Sequence, residues 1–203
     1  MENQSLFELL SDVEPMPRPD HLEPVRGLLF TLPVTFAYYQ NLGELLLDAG
    51  HMTTLGDLFV LCTPSFRPEW AIRLERIGRT LTLTYPAAPI WLAGSPLPEV
   101  ERAVATIEPK SYEAIESAWF KMLRLARPFD GRTSGLDGQT YVFGYKRNGL
   151  MTAQTWSPSP DTAPGRLVSL SESLRQYALA DAVLRPEIEG RIREEAQWFE
   201  AVA

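Results

Sequence analysis

Residues 140–156 read TYVFGYKRNGLMTAQTW and contain the clearest local signal in the chain. Asn148 and Gly149 divide this segment into two runs, Thr140–Arg147 and Leu150–Trp156. Asn-Gly readily adopts the positive φ angles of a type I′ turn, whose twist matches the strands that it joins. The segment therefore predicts an antiparallel hairpin with a two-residue turn, in which Tyr141 lies opposite Trp156.

The predicted register places several aromatic side chains on one face of this hairpin. They are Tyr141, Phe143, Tyr145 and Trp156. On the other face Gly144 lies opposite Ala153, and this small pair would let a backbone segment or a helix approach closely. Aromatic stripes usually pack in protein cores, so burial is the first expectation. An exposed aromatic face that binds another protein is the alternative.

Helical periodicity and turn residues predict the remaining elements. Ser5 and Glu8 have the spacing of a capping box, so we expect residues 1–25 to form a helix followed by a proline-rich connector. Ser111 is the expected cap of a later helix. The other predicted helices cover 31–49, 112–127, 167–177 and the segment beyond Pro186, and the predicted strands cover 58–62, 70–75, 80–85, 100–107 and, as an edge strand at most, 90–93.

Strands and helices are segregated along the chain rather than strictly alternating, which predicts the α+β class. We expect a mostly antiparallel sheet with about four to five helices packed around it. The sequence has no internal repeat and no composition change typical of a domain boundary. Residues 1–203 are therefore expected to form a single domain.

The charge balance argues against two classes of partner. The chain has 203 residues, with 19 Lys and Arg against 26 Asp and Glu, and a formal net charge of −7. This charge repels a nucleic-acid backbone. No segment approaches the roughly 18 apolar residues that a membrane-spanning helix needs, and the N-terminus lacks the pattern of a signal peptide. We therefore expect a cytoplasmic protein that binds neither nucleic acid nor a membrane.

Few residues in the chain offer catalytic or metal chemistry. His21, His51 and Cys62 are the only histidines and cysteine, so a cage of histidines and thiolates cannot form. Cys62 could act as a nucleophile with a histidine as base, but a buried structural cysteine is the favoured interpretation. The loop 130–138 resembles a calcium or phosphate loop, yet Arg132 occupies an expected ligand position, which favours a structural turn. We predict no catalytic residue, metal or cofactor.

The segment Pro64–Glu69 reads PSFRPE and holds two charged residues, Arg67 and Glu69, beside aromatic ones. Because prolines restrict the backbone, the segment could present a rigid polar edge for recognition. The alternative is an ordinary entry into a strand, with Phe66 and Trp70 packed inside.

A second block reads LDGQTYVF from Leu136 to Phe143 and is followed by WSP at residues 156–158. Together with PSFRPE, these motifs resemble a group of small bacterial proteins of unknown function that carry PSF-x-PE, LDG-x-TY-x-F and WSP. The resemblance spans roughly residues 58 to 180 and implies no activity and no catalytic residue.

We expect a small acidic protein that acts by binding another protein, as an immunity, inhibitor or regulatory factor. The candidate binding residues are Arg67, Glu69, Asp137, Tyr141 and Trp156. The alternative is an enzyme or a small-ligand-binding domain, with a pocket near Arg67, Asp137, Tyr141 and Trp156. A third interpretation is a homodimer formed through the apolar stripe of the C-terminal helix, provided that Trp198 or Phe199 is exposed.

Overall fold

The computed structural model of the protein describes residues 20–25, 36–47, 57–92, 96–128, 137–147 and 149–201. The strands are β1 (Glu23–Pro24), β2 (Leu58–Pro64), β3 (Trp70–Leu74), β4 (Thr80–Pro86), β5 (Val100–Thr106), β6 (Gln139–Lys146) and β7 (Leu150–Trp156). The helices are α1 (Phe36–Leu47), α2 (Pro109–Arg124), α3 (Ala163–Leu179) and α4 (Arg185–Ala201). The helix predicted from Ser5 lies outside the described residues, as do His51 and most of the loop 130–138.

All seven strands belong to one antiparallel sheet with the order β1-β7-β6-β2-β3-β4-β5. This sheet, with four helices in the part of the chain that the structure describes, confirms the predicted α+β class. The hairpin of β3 and β4 forms as predicted, and β5 is the edge strand next to it. At the opposite edge β1, the end of the proline-rich connector, pairs with β7.

Each face of the sheet has its own hydrophobic core. On one face lie α2, α3 and α4, and Trp119 of α2 meets Phe143 of β6 edge to face, with ring centroids 5.2 Å apart. On the other face α1 places Leu42 and Leu46 against Phe59 of β2. Because both faces of the central strands are covered, β2 reads LFVLCTP, a nearly continuous apolar run rather than an alternating one.

The hairpin of β6 and β7 forms as predicted, but its predicted register is wrong by one residue. Phe143 lies opposite Ala153 rather than Gln154, and three residues, 147–149, join the strands. Ala153 is fully buried on the helix-covered face, whereas Gln154 would have placed a polar amide in that core. The same shift moves Trp156 to the opposite face from the other three aromatic residues of the hairpin.

At Gly144 the sequence predicts the close approach of a backbone segment or a helix. In the structure a side chain approaches instead. Phe59 is the neighbour of Gly144 across the pairing of β2 with β6. A Cβ at Gly144 would lie 2.0 Å from the Phe59 ring, so only glycine fits there. The ring covers the glycine, and α1 packs on the ring.

Two local predictions are wrong. The helix predicted over 112–127 spans Pro109–Arg124, because proline is favoured in the first helical turn, where its missing N–H is not needed. Ser111 is therefore buried within the helix and does not cap it. The segment predicted as an edge strand at 90–93 forms a short 3-10 helix, Ile90–Leu92.

The apolar stripe of α4 packs inside the chain. Ile192, Ala196 and Phe199 are buried in the core beneath α2 and α3. Trp198 is partly buried, and the guanidinium of Arg166 lies 5.5 Å from the centroid of its ring. Phe199, one of the two residues on which the homodimer interpretation depends, is therefore buried, and Trp198 is only partly exposed.

Candidate functional site

The loop between β2 and β3, residues 65–69, is anchored to the residue that precedes β6. The backbone N–H and the hydroxyl of Ser65 both donate to the carbonyl oxygen of Gly138, each at 2.9 Å. The N–H of Gly138 in turn donates to Ser65 Oγ at 3.0 Å. Gly138 leaves no room for a side chain, because a Cβ would lie 2.5 Å from the Trp156 ring. These contacts fix the first half of the loop.

Glu69 fixes the other half of the loop from inside the protein. Its side chain is fully buried. The carboxylate accepts hydrogen bonds from the Tyr38 hydroxyl at 2.8 Å, from the Ile90 N–H at 2.8 Å and from the Trp91 N–H at 3.3 Å. Burial and the nearby Glu69 carboxylate raise the pKa of Tyr38, which stays a donor. The prediction that Glu69 forms part of an exposed recognition edge is wrong, because this carboxylate joins α1 and the 3-10 helix to the sheet.

Phe66 and Arg67 lie at the tip of the anchored loop and point away from the core. Phe66 is 73% exposed and Arg67 is also exposed, whereas Trp70 at the start of β3 is buried. The expected strand entry is therefore correct for Trp70 and wrong for Phe66. Ile77 and Val183 are more exposed still, so exposure by itself does not mark a contact surface, but Phe66 also lies on a loop fixed at both ends and next to Arg67.

Two clefts flank the loop and share Arg67 and Gln139 in their walls. The first, about 500 Å³, is named the proline cleft, and its wall includes Pro64, Phe66, Arg67, Gln139, Pro158 and Pro160. The second, about 340 Å³, is named the arginine cleft, and its wall includes Arg67, Trp70, Tyr85, Gln139, Glu172 and Arg175. Residues of β2 and β6 line both clefts. The proline cleft is also lined by the segment leading into α3, and the arginine cleft by β3, β4 and α3.

Arg175 of α3 is held in place over the floor of the arginine cleft. Its guanidinium carbon lies 5.5 Å from the centroid of the Trp70 ring, within the range of a cation–π contact. Its Nη1 lies 3.3 Å from a carboxylate oxygen of Glu172, one helical turn earlier. Its Nε is buried and has no hydrogen-bond partner in the described part of the chain.

Gln139 is oriented by two buried donors beneath the clefts. The Tyr141 hydroxyl donates to Gln139 Oε1 at 2.6 Å, and the Cys62 thiol lies 3.9 Å from the same oxygen. Burial raises the pKa of Cys62 to about 12 and also raises the pKa of Tyr141, so both groups remain protonated donors at neutral pH. A protonated, buried thiol is a poor nucleophile, which favours the structural interpretation of Cys62.

Only part of the predicted site comes together. Arg67 and Tyr141 both line the proline cleft, whereas Asp137 and Trp156 line neither cleft and only adjoin residues that do. The expected burial of the aromatic stripe is confirmed for Tyr141, Phe143 and Tyr145, so the alternative of an exposed aromatic face does not hold. Sequence reasoning missed Gln139, Glu172 and Arg175. Glu172 and Arg175 have the spacing of an ordinary surface pair on α3. Nothing in the sequence around them indicates that they lie near β6.

The described residues contain no group of three metal-ligating side chains placed to hold a metal ion, and no helix among them is long and apolar enough to cross a membrane. Comparisons of the chain with protein-family models, with curated proteins and with solved structures find no match. The chemistry of the loop and of the two clefts is therefore the basis for an assignment.

Proposed function

We propose that the protein acts by binding another protein, as an immunity, inhibitor or regulatory factor, through the loop that carries Phe66 and Arg67. The observation that supports this most is the exposure of Phe66 on a loop fixed at both ends. Aromatic and arginine side chains are enriched among the residues that dominate binding energy in interfaces. Here the two are adjacent.

The anchors of the loop lower the cost of binding. A loop that is already ordered loses little conformational entropy when it meets its partner. Ser65 and Glu69 hold the two sides of the tip through hydrogen bonds that do not involve the exposed side chains. Phe66 and Arg67 are thus presented in a fixed arrangement, as in preorganised inhibitor loops.

The proline cleft lies beside Phe66 and completes a surface that is both convex and concave. Pro158 and Pro160 form its far wall, and rings of this kind offer rigid apolar contact area. We propose that an apolar side chain of the partner occupies this cleft while Phe66 packs into the partner. The net charge of −7 would then attract a partner of positive charge over longer distances.

The test is capture of partners from a lysate of the source cells by the purified protein, with quantitative mass spectrometry at low and high salt. The baits are the wild type, a double variant with Phe66→Ala and Arg67→Ala, and the control Ile77→Ala. Ile77 is 89% exposed on the turn between β3 and β4, so its loss matches the exposed apolar area without touching the loop.

The expected result is one stoichiometric partner that the wild type and Ile77→Ala retain and that the double variant loses. Equal capture of that partner by the double variant would place the interface elsewhere. Absence of any enriched protein with all three baits would argue against partner binding itself.

A further inference from the structure

We propose that the arginine cleft is a binding site for an oxyanion group, a carboxylate or a phosphate, of a small organic molecule, with Arg67, Gln139 and Arg175 as its donors. This function is additional to partner binding at the loop tip. It concerns the interior of the arginine cleft, which the proposed partner contact at the loop tip does not involve.

The first argument is the direction of the Gln139 amide. Both groups that contact its Oε1, the Tyr141 hydroxyl and the Cys62 thiol, are hydrogen donors. The Tyr141 hydroxyl also lies 3.3 Å from Glu172 Oε1, to which it can donate. In the structure Gln139 Oε1 faces Tyr141 and Cys62, which leaves the amide nitrogen for the clefts that Gln139 lines. Two N–H groups are thus turned toward the space between Arg67 and Arg175.

The second argument is the unused donor capacity of Arg175. A guanidinium has five N–H donors in a planar fork that matches a carboxylate or a phosphate. In the described part of the chain Arg175 makes a single ion pair, from Nη1 to Glu172, and its Nε is buried, so the donors left for a ligand are those of the two terminal nitrogens. Stacking on Trp70 fixes the plane of the fork, so little entropy is lost when an anion binds.

The third argument is the local charge. Arg67 and Arg175 line the cleft together with Glu69 and Glu172, so the formal charges of its wall balance. The carboxylate of Glu69 is already occupied by three donors, from α1 and the 3-10 helix. Both carboxylates are already hydrogen-bonded within the protein, and Arg67 forms no ion pair among the described residues, so an anion can be received by Arg67 and by the remaining N–H groups of Arg175.

The rest of the wall suits an organic body rather than a free inorganic ion. Pro64, Pro68 and Pro86 and the ring of Tyr85 contribute apolar surface opposite the donors. A volume of about 340 Å³ lies at the lower end of the range for small-molecule sites, which accommodates a single ring with one charged group.

The experiment uses three matched probes and isothermal titration calorimetry on the full chain. Phenylacetate presents a carboxylate, phenyl phosphate presents a phosphate, and phenylacetamide is the neutral analogue of the first. The test variant is Gln139→Glu, which keeps the size of the side chain and leaves an acceptor for Tyr141 and Cys62 but replaces the donor with a negative charge. Lys110→Gln is the control, because it lowers the net charge by the same amount at an exposed position on α2.

We expect saturable binding of one or both acids to the wild type and to Lys110→Gln, with no binding of phenylacetamide. Gln139→Glu should bind at least about tenfold more weakly. The acid that binds more tightly identifies the class of anion, carboxylate or phosphate. If Gln139→Glu fails to fold, judged by circular dichroism, Arg175→Gln takes its place with the same expectation.

Three results would overturn the proposal: no binding of either acid by the wild type, equal binding of the neutral amide, or unchanged binding by the folded cleft variant. Partner capture with Arg175→Gln separates this site from the proposed loop interface, because Arg175 lines only the arginine cleft, whereas Gln139 also lines the proline cleft. A variant that loses the acids and retains the protein partner supports both functions independently.

Discussion

The two ends of the sheet carry comparable antiparallel connections that differ in how they are held. At the first end, the loop 65–69 is fixed by Ser65 and Glu69 through contacts to Gly138, α1 and the 3-10 helix. At the second end, residues 147–149 join β6 to β7, and no heavy atom lies within 4 Å of the position of a Cβ at Gly149. The rigidity of a loop in this protein therefore comes from groups outside its own hairpin.

This difference explains why the candidate site lies at the first end. Recognition benefits from side chains whose positions are fixed before the ligand arrives. The anchored end supplies such positions for Phe66, Arg67 and Gln139, whereas Arg147 and Leu150 at the open end are exposed. The predictions below concern how much the anchoring hydrogen bonds and the buried groups contribute to the free energy of unfolding.

The largest effect is expected for Glu69→Ala at the anchored end. The substitution leaves two backbone N–H groups and the Tyr38 hydroxyl without an acceptor in a buried place. We expect the free energy of unfolding to fall by about 3–5 kcal/mol, measured by urea denaturation. Glu75→Ala, at an exposed glutamate just after β3, is the control and should change it by less than about 0.5 kcal/mol. Similar values for the two variants would contradict the anchoring role of Glu69.

A second prediction concerns alkaline pH, since burial raises the pKa of Cys62 to about 12 from an ordinary value of 9.0. The folded chain holds this proton more tightly than the unfolded chain, so the contribution to stability is complete below about pH 9 and is lost as the pH rises toward 12. Titration of Cys62 should lower the free energy of unfolding by about 1.4 kcal/mol per pH unit in that window.

The measurement is urea unfolding at a series of pH values on both sides of pH 9, with Cys62→Ala as the comparison. The variant should show a shallower decline, and the remaining slope should come from tyrosines such as Tyr177, whose pKa burial raises to about 12. Equal slopes for the two proteins would mean that the thiol does not stay protonated in the folded chain.

The smallest effect is expected for Ser65→Ala, compared with Arg147→Ala at the open end. Ser65 exchanges side-chain hydrogen bonds with Gly138, and their loss should cost about 1 kcal/mol. Arg147 is exposed, and its replacement should cost less than about 0.5 kcal/mol. Thermal unfolding of the two variants gives the comparison. A larger loss at Arg147 would show that the open end is held by contacts of its own.

The sequence by itself determined the type and the order of most elements. The Asn-Gly pair within 140–156 indicated the hairpin of β6 and β7, and the segregation of strands from helices along the chain indicated the α+β class. The burial of Trp70 and of Tyr141 also followed from strand periodicity.

Tertiary structure alone decided the register and the site. The hairpin shifted by one residue because Ala153 rather than Gln154 fits beneath the helices, a preference that appears only once α2 covers the sheet. Glu69 is buried because α1 and the 3-10 helix need an acceptor for their donors, and Phe66 is exposed. The arginine cleft joins β3 and β6 with α3, and local sequence carries no information about such contacts because packing brings the segments together only in the folded chain.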